Sequence, residues 1–220
     1  MTPDAPADAK HPVSTRQTVA LGLPPAPEAL ARFPVWHVHG GTTLYRVTTT
    51  GFGPWWFSSD GAGRFDLVPP RGTCYLADDD LGALLEVLGP VRVVSSSWAK
   101  RFSVWQLALP DQCRAADSTV RAARGFGVTA ELATVTPYDM PQRWAAAFSA
   151  AGYQGVRYRV RHDPGGSRAL ALFGAAGERT RWRRGRRATV DDHMLARLAG
   201  ETGLRVADLP GAADLGELLE

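Results

Sequence analysis

The stretch that decides the fold class reads Gly155-Val156-Arg157-Tyr158-Arg159-Val160-Arg161, then Asp163-Pro164-Gly165-Gly166, then Ala169-Leu170-Ala171-Leu172-Phe173. Its first part alternates between apolar and charged side chains, which is typical of a strand with one buried face. Its middle consists of turn residues, and its last part is an apolar run that returns beside the first strand. Two strands therefore adjoin without a helical crossover, which favours antiparallel pairing.

Strands also predominate in the rest of the chain. Runs rich in β-branched and aromatic residues are typical of short strands. They occur at residues 42–49, 72–77, 91–94 and 104–109. Because strands outnumber helices and often follow one another directly, the sequence predicts an α+β fold, a single domain with a mixed, largely antiparallel sheet. A doubly wound nucleotide-binding fold is not expected.

Two amphipathic segments predict helices. In the first, leucines recur at the helical spacing i, i+3, i+4 and i+7 after three aspartates that suit a helix N-terminus. This segment runs from Asp78-Asp79-Asp80 to Gly89-Pro90. The second begins at Asp139 and closes at Gly152, where glycine commonly ends a helix.

Length and composition exclude several classes of protein. The chain has 220 residues, of which 45% are hydrophobic and 21% charged, so it forms a packed core without disulfide or metal support. Cys74 and Cys113 are far apart in sequence and belong to no C-x-x-C pair, which indicates neither a disulfide framework nor a zinc site. No apolar stretch has the length of a signal-peptide core or a membrane span. We therefore expect a cytoplasmic protein with no membrane partner.

Composition divides the chain into three parts. Residues 1–28 contain six prolines among small and charged residues, which predicts a flexible N-terminal arm. Residues 29–177 contain no long polar linker and are predicted to form one domain. Residues 178–220 are predicted to be a basic segment followed by a C-terminal helix, which begins near Asp191 and ends near Gly203.

The positive charge comes almost wholly from arginine and is locally concentrated. Only Lys10 and Lys100 are lysines among 25 basic residues, and six arginines lie within residues 179–187. Interleaved with Trp182, this arginine cluster suits a nucleic-acid backbone or an acidic partner, while a solvated basic segment is the plain alternative. Because the net charge of +3 would turn negative without the cluster, the chain is not uniformly basic, and we do not expect direct nucleic-acid binding.

Familiar catalytic motifs are missing. The sequence has no P-loop, no G-x-G-x-x-G after a strand, no G-x-S-x-G and no H-E-x-x-H. The pair His37-x-His39 lacks further ligands, so an ordinary polar pair is favoured and no metal is predicted. What remains is a set of polar residues on a strand, an aromatic loop, a second strand and a helix: Arg46, Arg64, Tyr75 and Glu86.

Around these residues the sequence resembles the RES-domain family, named for its arginine, glutamate and serine. The first half of the resemblance lies in Leu44-Tyr45-Arg46-Val47, Gly63-Arg64-Phe65, Tyr75-Leu76-Ala77 and Ala83-Leu84-Leu85-Glu86. The second half lies in Tyr138 with Gln142-Arg143-Trp144-Ala145, Gly155-Val156-Arg157-Tyr158, Arg161-His162-Asp163-Pro164 and Ala169-Leu170-Ala171-Leu172-Phe173. The resemblance covers about residues 34–174, so residues 29–177 would be a RES-like catalytic domain.

The resemblance implies an ADP-ribosyltransferase-like fold and an enzyme that consumes NAD. Toxins of this family destroy NAD by phosphorolysis or hydrolysis and are held in check by an antitoxin of the Xre type. The resemblance thus implies NAD as substrate, inorganic phosphate as a candidate co-substrate and an antitoxin as partner. Whether the acceptor is phosphate or water, and whether the chain forms a homo-oligomer, stays open.

The residue types suit that chemistry. Cleavage of the nicotinamide–ribose bond develops positive charge on the ribose, which a nearby carboxylate stabilises, and Glu86 is the candidate. A guanidinium binds phosphate oxygens in a planar, two-pronged geometry, so Arg46 and Arg64 are predicted to hold the pyrophosphate. Catalytic roles are thereby assigned to Glu86, Arg46 and Tyr75.

Three aromatic residues are predicted to contact the rings of the substrate. Tyr75 would stack and orient it, and Tyr45 and Trp56 lie on or beside the same elements. Trp56 belongs to a long aromatic loop between Gly51 and Gly72. It directly follows Trp55, and one of these two neighbouring side chains must turn away from the core.

Plain structural interpretations exist for each of these residues. By periodicity alone, Glu86 lies opposite the leucine stripe and would be a solvated surface residue. Arg46 would equally face solvent or join a structural ion pair, and Tyr75 would be a core residue. The aromatic loop would be a local lid over the fold. Only the resemblance favours the functional interpretation.

One position departs from the family pattern. The named serine is expected where Val160 stands, facing inward with Val156 and Tyr158. A valine cannot donate the hydrogen bond that a hydroxyl would give to phosphate, ribose or the glutamate, and Ser167 lies beyond the turn. The alternative hypothesis is therefore a catalytically impaired RES fold that acts as a binding or regulatory module.

Overall fold

The fold is built on one large β-sheet. The computed structural model describes residues 20–208. Its strands are β1 (Val35–Val38), β2 (Thr43–Thr49), β3 (Trp56–Phe57), β4 (Arg71–Ala77), β5 (Val93–Ser95), β6 (Phe102–Ala108), β7 (Cys113–Asp117), β8 (Gly155–Arg159), β9 (Arg168–Ala175), β10 (Gly177–Glu178), β11 (Arg186–Thr189) and β12 (Arg205–Ala207). Its helices are α1 (Pro27–Leu30), α2 (Asp80–Leu88), α3 (Ser96–Ala99), α4 (Glu131–Thr134), α5 (Asp139–Ala150) and α6 (Asp192–Thr202), with a 3₁₀ helix over Arg121–Phe126.

Eight strands form the large sheet in the order β1-β7-β8-β9-β4-β2-β6-β11. Within the described residues, β7 with β8 is the parallel pair of this sheet, and the other neighbours run antiparallel. Two short pairs, β3 with β10 and β5 with β12, lie outside it. The predicted α+β class with a mixed, largely antiparallel sheet is confirmed.

The hairpin that decides the fold class is the β8–β9 pair at the centre of this sheet. Its register places Val156 opposite Ala171 and Tyr158 opposite Ala169. The turn is closed by the carboxylate of Asp163, which accepts hydrogen bonds from the backbone N–H groups of Gly165 at 2.7 Å and Ser167 at 3.0 Å. Side-chain acceptance of this kind satisfies turn N–H groups that no strand partner reaches.

The sheet nearly divides in two between β2 and β4. β2 pairs with β6 over seven residues, and β4 pairs with β9 over seven, but β2 and β4 share the single register pair Tyr45 and Ala77. Strands that diverge after one pair leave a gap between them that side chains can line. A cleft opens at this gap.

Helix α2 covers the gap on one face. Its N-cap is Asp79, whose carboxylate accepts from the Gly82 N–H at 2.6 Å, and it ends at Gly89, whose φ of +71° suits glycine. The leucine stripe is buried as predicted: Leu81, Leu84, Leu85 and Leu88 are at most 6% exposed. Burying a leucine contributes about 1.5–3 kcal/mol, so this stripe fixes the helix on the sheet.

The opposite face of the sheet is covered by the aromatic loop. There Leu44, Cys74 and Leu76 pack with Trp55 and Phe57 in a second buried cluster. The ring of Trp182 lies edge-on to Trp55 with centroids 5.0 Å apart. The loop is therefore part of the core, and of its adjacent tryptophans Trp55 is 1% exposed and Trp56 is 53% exposed.

The segments before and after the predicted domain are partly built into it. Of the predicted arm, residues 1–19 lie outside the described residues, while Leu21 is buried and its N–H donates to Glu131 Oε2 at 2.7 Å. The basic segment supplies β11, which pairs with β6 at the edge of the large sheet. α6 begins after Asp191, whose carboxylate accepts from Met194 N–H at 2.9 Å, and ends at Gly203. The sheet thus continues past the predicted boundary at residue 177, because backbone pairing does not require apolar side chains.

Candidate functional site

A cleft of about 310 Å³ opens where β2 and β4 diverge. It is lined by residues of both strands, of α2, of the loop before β4 and of the β8–β9 hairpin. Its polar and aromatic lining residues are Tyr45, Arg46, Arg64, Tyr75, Glu86, Tyr138 and Tyr158. Five of the six residues assigned to the site from sequence therefore lie in one cleft, although Tyr45 and Glu86 are 41 positions apart in the sequence.

Glu86 lies on the last turns of α2 and points into this cleft, half-buried. Its Oε2 accepts a hydrogen bond from the backbone N–H of Arg161 at 3.3 Å. Burial raises the pKa of the Glu86 carboxyl, and the Arg161 N–H and the positive charges of Arg64 and Arg161 partly oppose this. The cleft thus holds a desolvated carboxylate, which does not match a solvated surface residue.

Arg64 is the most deeply buried cation of the cleft, at 5% exposure. Its Nη1 donates to the carbonyl of Val135 at 2.6 Å, and its guanidinium stacks on the Tyr138 ring at 4.5 Å from the centroid. Burial lowers the pKa of this guanidinium, while the charge of Glu86 is among the influences that raise it. Among the described residues, no carboxylate forms a salt bridge with Arg64. A buried guanidinium without an ion-pair partner is suited to receive an anion.

Tyr75 fixes the loop that carries Arg64. Its hydroxyl donates to Asp66 Oδ1 at 2.8 Å and accepts from the Phe65 N–H at 2.8 Å. Burial, then the charge of Asp66, raises the pKa of Tyr75 well above its ordinary value, so the phenol stays protonated. A side chain on Gly63 would collide with both the Asp66 carboxylate and the Tyr75 hydroxyl, which explains the glycine there. Tyr75 therefore positions Arg64 and also lines the cleft.

Arg46 lies at the rim and is held by backbone groups. Its Nη1 donates to the carbonyls of Pro54 at 2.6 Å and Trp56 at 2.8 Å, and it contacts Cys74 Sγ at 2.8 Å. These bonds satisfy part of the hydrogen-bonding capacity of the guanidinium without an anion. Arg46 thus ties the aromatic loop to the sheet and faces the cleft.

Two tyrosines of the cleft were not assigned to the site from sequence. Tyr158 of β8 is buried and lines the cleft together with Glu86. Burial, followed by the charge of Glu86, raises the pKa of Tyr158 well above its ordinary value, so the phenol stays protonated beside the carboxylate. Tyr138 covers Arg64. Both tyrosines stand in the motifs that carry the family resemblance, and Tyr158 also faces inward in the alternating strand, so the sequence held a signal for each.

The comparisons with known proteins agree with this geometry. The family model described as RES domain matches residues 43–191, more than half of the chain. The chain belongs to the RES-domain family. A chain in the crystal structure of the M. tuberculosis MbcT–MbcA toxin–antitoxin complex has a similar fold, with a TM-score of 0.55 at 16% identity over 79% of this chain and 95% of that chain. The predicted ADP-ribosyltransferase-like fold is thereby supported. No curated protein sequence matches the chain.

Val160, where the sequence analysis expects the family serine, is part of the core. Val160 is 3% exposed and packs in the main buried cluster, and its N–H donates to the Ser167 carbonyl at 2.9 Å. It does not line the cleft that holds Glu86. Ser167 packs against Gly82 at the start of α2, so its hydroxyl does not replace the missing one.

Trp56 is the predicted site residue that the RES cleft does not include. It lines a neighbouring depression of about 650 Å³ together with Phe52, Phe102 and Glu178. The backbone carbonyl of Trp56, and not its ring, reaches Arg46. The aromatic residues that line the cleft itself are therefore tyrosines.

The arginine cluster of residues 179–187 spreads over the opposite side of the RES domain from α2. Arg179 stacks on Phe57 at 5.0 Å, Arg184 pairs with Glu178 at 3.6 Å, and Arg187 donates to Ser103 Oγ at 2.9 Å. Part of the arginine cluster is thus engaged in contacts within the domain. These contacts favour neither a nucleic-acid backbone nor an acidic protein as a partner of the cluster.

Two further sequence expectations concern metals and membranes. Among residues 20–208, no group of three or more histidine, cysteine, aspartate or glutamate side chains is placed to hold a metal ion. His37 lies exposed on β1. No helix in the described part of the chain has the length and apolar character needed to cross a membrane.

Proposed function

We propose that this RES domain cleaves the nicotinamide–ribose bond of NAD. The observation that carries the proposal is the placement of a desolvated carboxylate, Glu86, and a buried guanidinium without an ion pair, Arg64, on the walls of one cleft. Cleavage turns a cationic pyridinium into neutral nicotinamide and moves the positive charge to the ribose ring. A carboxylate fixed beside the ribose stabilises that charge as it develops, and a guanidinium holds the phosphates that carry the ribose.

The reaction balances with either acceptor. The C1′–N bond breaks, both its electrons stay on the nicotinamide nitrogen, and the ribosyl cation is captured by an oxygen nucleophile. With water the products are nicotinamide, ADP-ribose and a proton, and with inorganic phosphate they are nicotinamide and ADP-ribose 1″-phosphate. The acceptor decides between a glycohydrolase and a phosphorylase, and both belong to the proposal.

The pH dependence of the reaction tests the role of Glu86. The ionised carboxylate is the active form, and burial raises its pKa above the ordinary 4.5. We expect kcat/KM for NAD to fall about tenfold per pH unit below an apparent pKa that lies above 4.5. A raised pKa means that the folded state binds the proton of Glu86 more tightly than the unfolded state does. Protonation of Glu86 on acidification therefore does not destabilise the folded chain in this range. Rates between pH 4 and pH 8, with circular dichroism as the folding control, measure this, and a flat profile would contradict the assignment.

We further propose that the chain is a cytoplasmic toxin neutralised by an antitoxin. The support is the similarity in fold to a chain of a toxin–antitoxin complex. Expression of the wild-type chain should deplete cellular NAD and arrest growth, and the Glu86→Gln variant at equal level should do neither. Co-expression of an Xre-type protein encoded beside the chain should restore growth. Arrest without loss of NAD would contradict this part of the proposal.

A second candidate function is a catalytically impaired RES domain that acts as a binding module, and the observation that favours it is the buried Val160. If it holds, the purified wild-type chain releases no nicotinamide, and Val160→Ser restores release. Val160→Ala, which shortens the side chain without adding a hydroxyl, controls for the change in packing and should not restore release. Turnover by the wild-type chain would eliminate this candidate.

A further inference from the structure

The depression that contains Trp56 adjoins the cleft directly. The two cavities share Arg46, Val47 and Val87 on their common wall. The cleft measures about 310 Å³ and the depression about 650 Å³. Sites for drug-sized ligands occupy about 300–1,000 Å³, so the cleft alone is at the small end for a dinucleotide. We call these two adjoining cavities the groove, in which Glu86 lines the cleft and Trp56 lines the depression.

Exposed aromatic side chains distinguish the outer part of this groove. Phe52 is 68% exposed and Trp56 53% exposed, although the other aromatic residues of the same loop, Trp55, Phe57 and Phe65, are buried. Large apolar side chains that cluster in solvent commonly mark a binding surface. Flat aromatic faces stack on nucleobases, because every base offers a π-face.

Glu178 places a hydrogen-bond acceptor beside Trp56. The two residues are cross-strand partners in the β3–β10 pair, so their side chains are neighbours. The carboxylate of Glu178 lies over the backbone of Gly53, where a side chain would collide with it, and it is 3.6 Å from Arg184 Nη2. A carboxylate beside a stacked base accepts from an exocyclic amino group.

Arg46 stands at the junction of the two cavities. Its Nη1 is fixed by the carbonyls of Pro54 and Trp56, which belong to the loop that forms the outer depression. The guanidinium is therefore held at the boundary between the end with Glu86 and the end with Trp56. In a bound dinucleotide the pyrophosphate occupies the corresponding middle position.

We propose that the depression binds the adenosine half of the dinucleotide, with the base stacked on Trp56 and Phe52 and its 6-amino group donated to Glu178. The inference rests on the proposed function, since it assigns the other half of the same substrate. The adenosine half is remote from the bond that breaks, so its contacts raise the affinity for NAD without touching the reacting atoms.

Two substrates separate the halves of the groove. NAD contains the adenosine part, and nicotinamide mononucleotide lacks it. We expect Trp56→Ala to lower kcat/KM for NAD about tenfold to a hundredfold and to change that for the mononucleotide by no more than about twofold. Trp56→Phe should recover most of the wild-type kcat/KM for NAD. Val68 is an exposed apolar residue outside the groove, so Val68→Ala should behave as wild type. Equal losses for both substrates, or no loss for NAD, would overturn the proposal.

Base selectivity tests Glu178. The wild-type chain should prefer NAD to nicotinamide hypoxanthine dinucleotide, whose base carries an oxygen in place of the amino group, by about tenfold. Glu178→Gln should narrow that preference, because an amide both donates and accepts. The same preference in both proteins would remove Glu178 from the site.

Binding of ADP, measured by calorimetry, separates failure of this inference from failure of the proposed function. Suppose that the wild-type chain binds ADP, that Trp56→Ala weakens this binding about tenfold or more, and that NAD is not cleaved. The adenosine site is then supported and the proposed reaction is refuted. If NAD is cleaved and ADP binds wild type and Trp56→Ala equally, the reaction stands and the adenosine site is refuted.

Discussion

Replacing Glu86 with glutamine is expected to lower kcat for NAD cleavage by about 10²–10³-fold or more, with little change in KM. The amide keeps the shape of the side chain and can still accept from the Arg161 N–H, but it carries no negative charge for the ribosyl cation. Release of nicotinamide by the purified variant, followed by chromatography, measures the loss.

The stability of this variant provides the control. Because burial raises the pKa of Glu86, the charged carboxylate opposes folding near neutral pH, and its replacement should leave the melting temperature equal or higher. Glu28→Gln, an exposed carboxylate on α1, is the matched substitution and should retain full activity. Full activity in Glu86→Gln, or a lower melting temperature with loss of activity, would contradict the assigned role.

The second large effect is expected at Arg64. Replacement with lysine should raise KM for NAD about tenfold or more, because an ammonium cannot offer the two-pronged geometry that phosphate oxygens accept. It would also lose the planar stack on Tyr138 and the bond to the Val135 carbonyl. Initial rates over a range of NAD concentrations give KM and kcat separately.

Arg143→Lys is the matched control for this substitution. Arg143 is an exposed arginine on α5 that does not line the cleft, so its exchange should leave both kinetic constants unchanged. If Arg64→Lys bound NAD as tightly as wild type, the buried guanidinium would be a structural cation and the phosphates would contact other groups.

Local patterns predicted most of the sheet and the three longest helices, α2, α5 and α6. The leucine stripe and the aspartates before it fixed α2, and the alternating stretch with its turn fixed the β8–β9 hairpin. β7 was not predicted, because Cys113–Asp117 is short, has mostly small side chains, and becomes a strand only through pairing with β1 and β8. β11 is exposed and rich in arginine, so its sequence has no apolar alternation that would predict a strand.

The sequence predicted which residues line the candidate site better than it predicted the contacts that those residues make. Only the family resemblance grouped Arg46, Arg64, Tyr75 and Glu86 into one predicted site. The leucine periodicity alone placed Glu86 on the solvent side of α2. Its burial follows from the divergence of β2 and β4, which is a property of the whole sheet. For the same reason the backbone partners of Arg46 could not be read from the residues that flank it.

The central claim is tested most directly by incubating the purified chain with NAD, with and without inorganic phosphate, and quantifying nicotinamide and the ribosyl product by chromatography. The account predicts one nicotinamide released for each NAD lost, with release abolished in Glu86→Gln. ADP-ribose as product would identify a glycohydrolase, and its 1″-phosphate a phosphorylase. A folded wild-type chain that leaves NAD intact in both buffers would contradict the account.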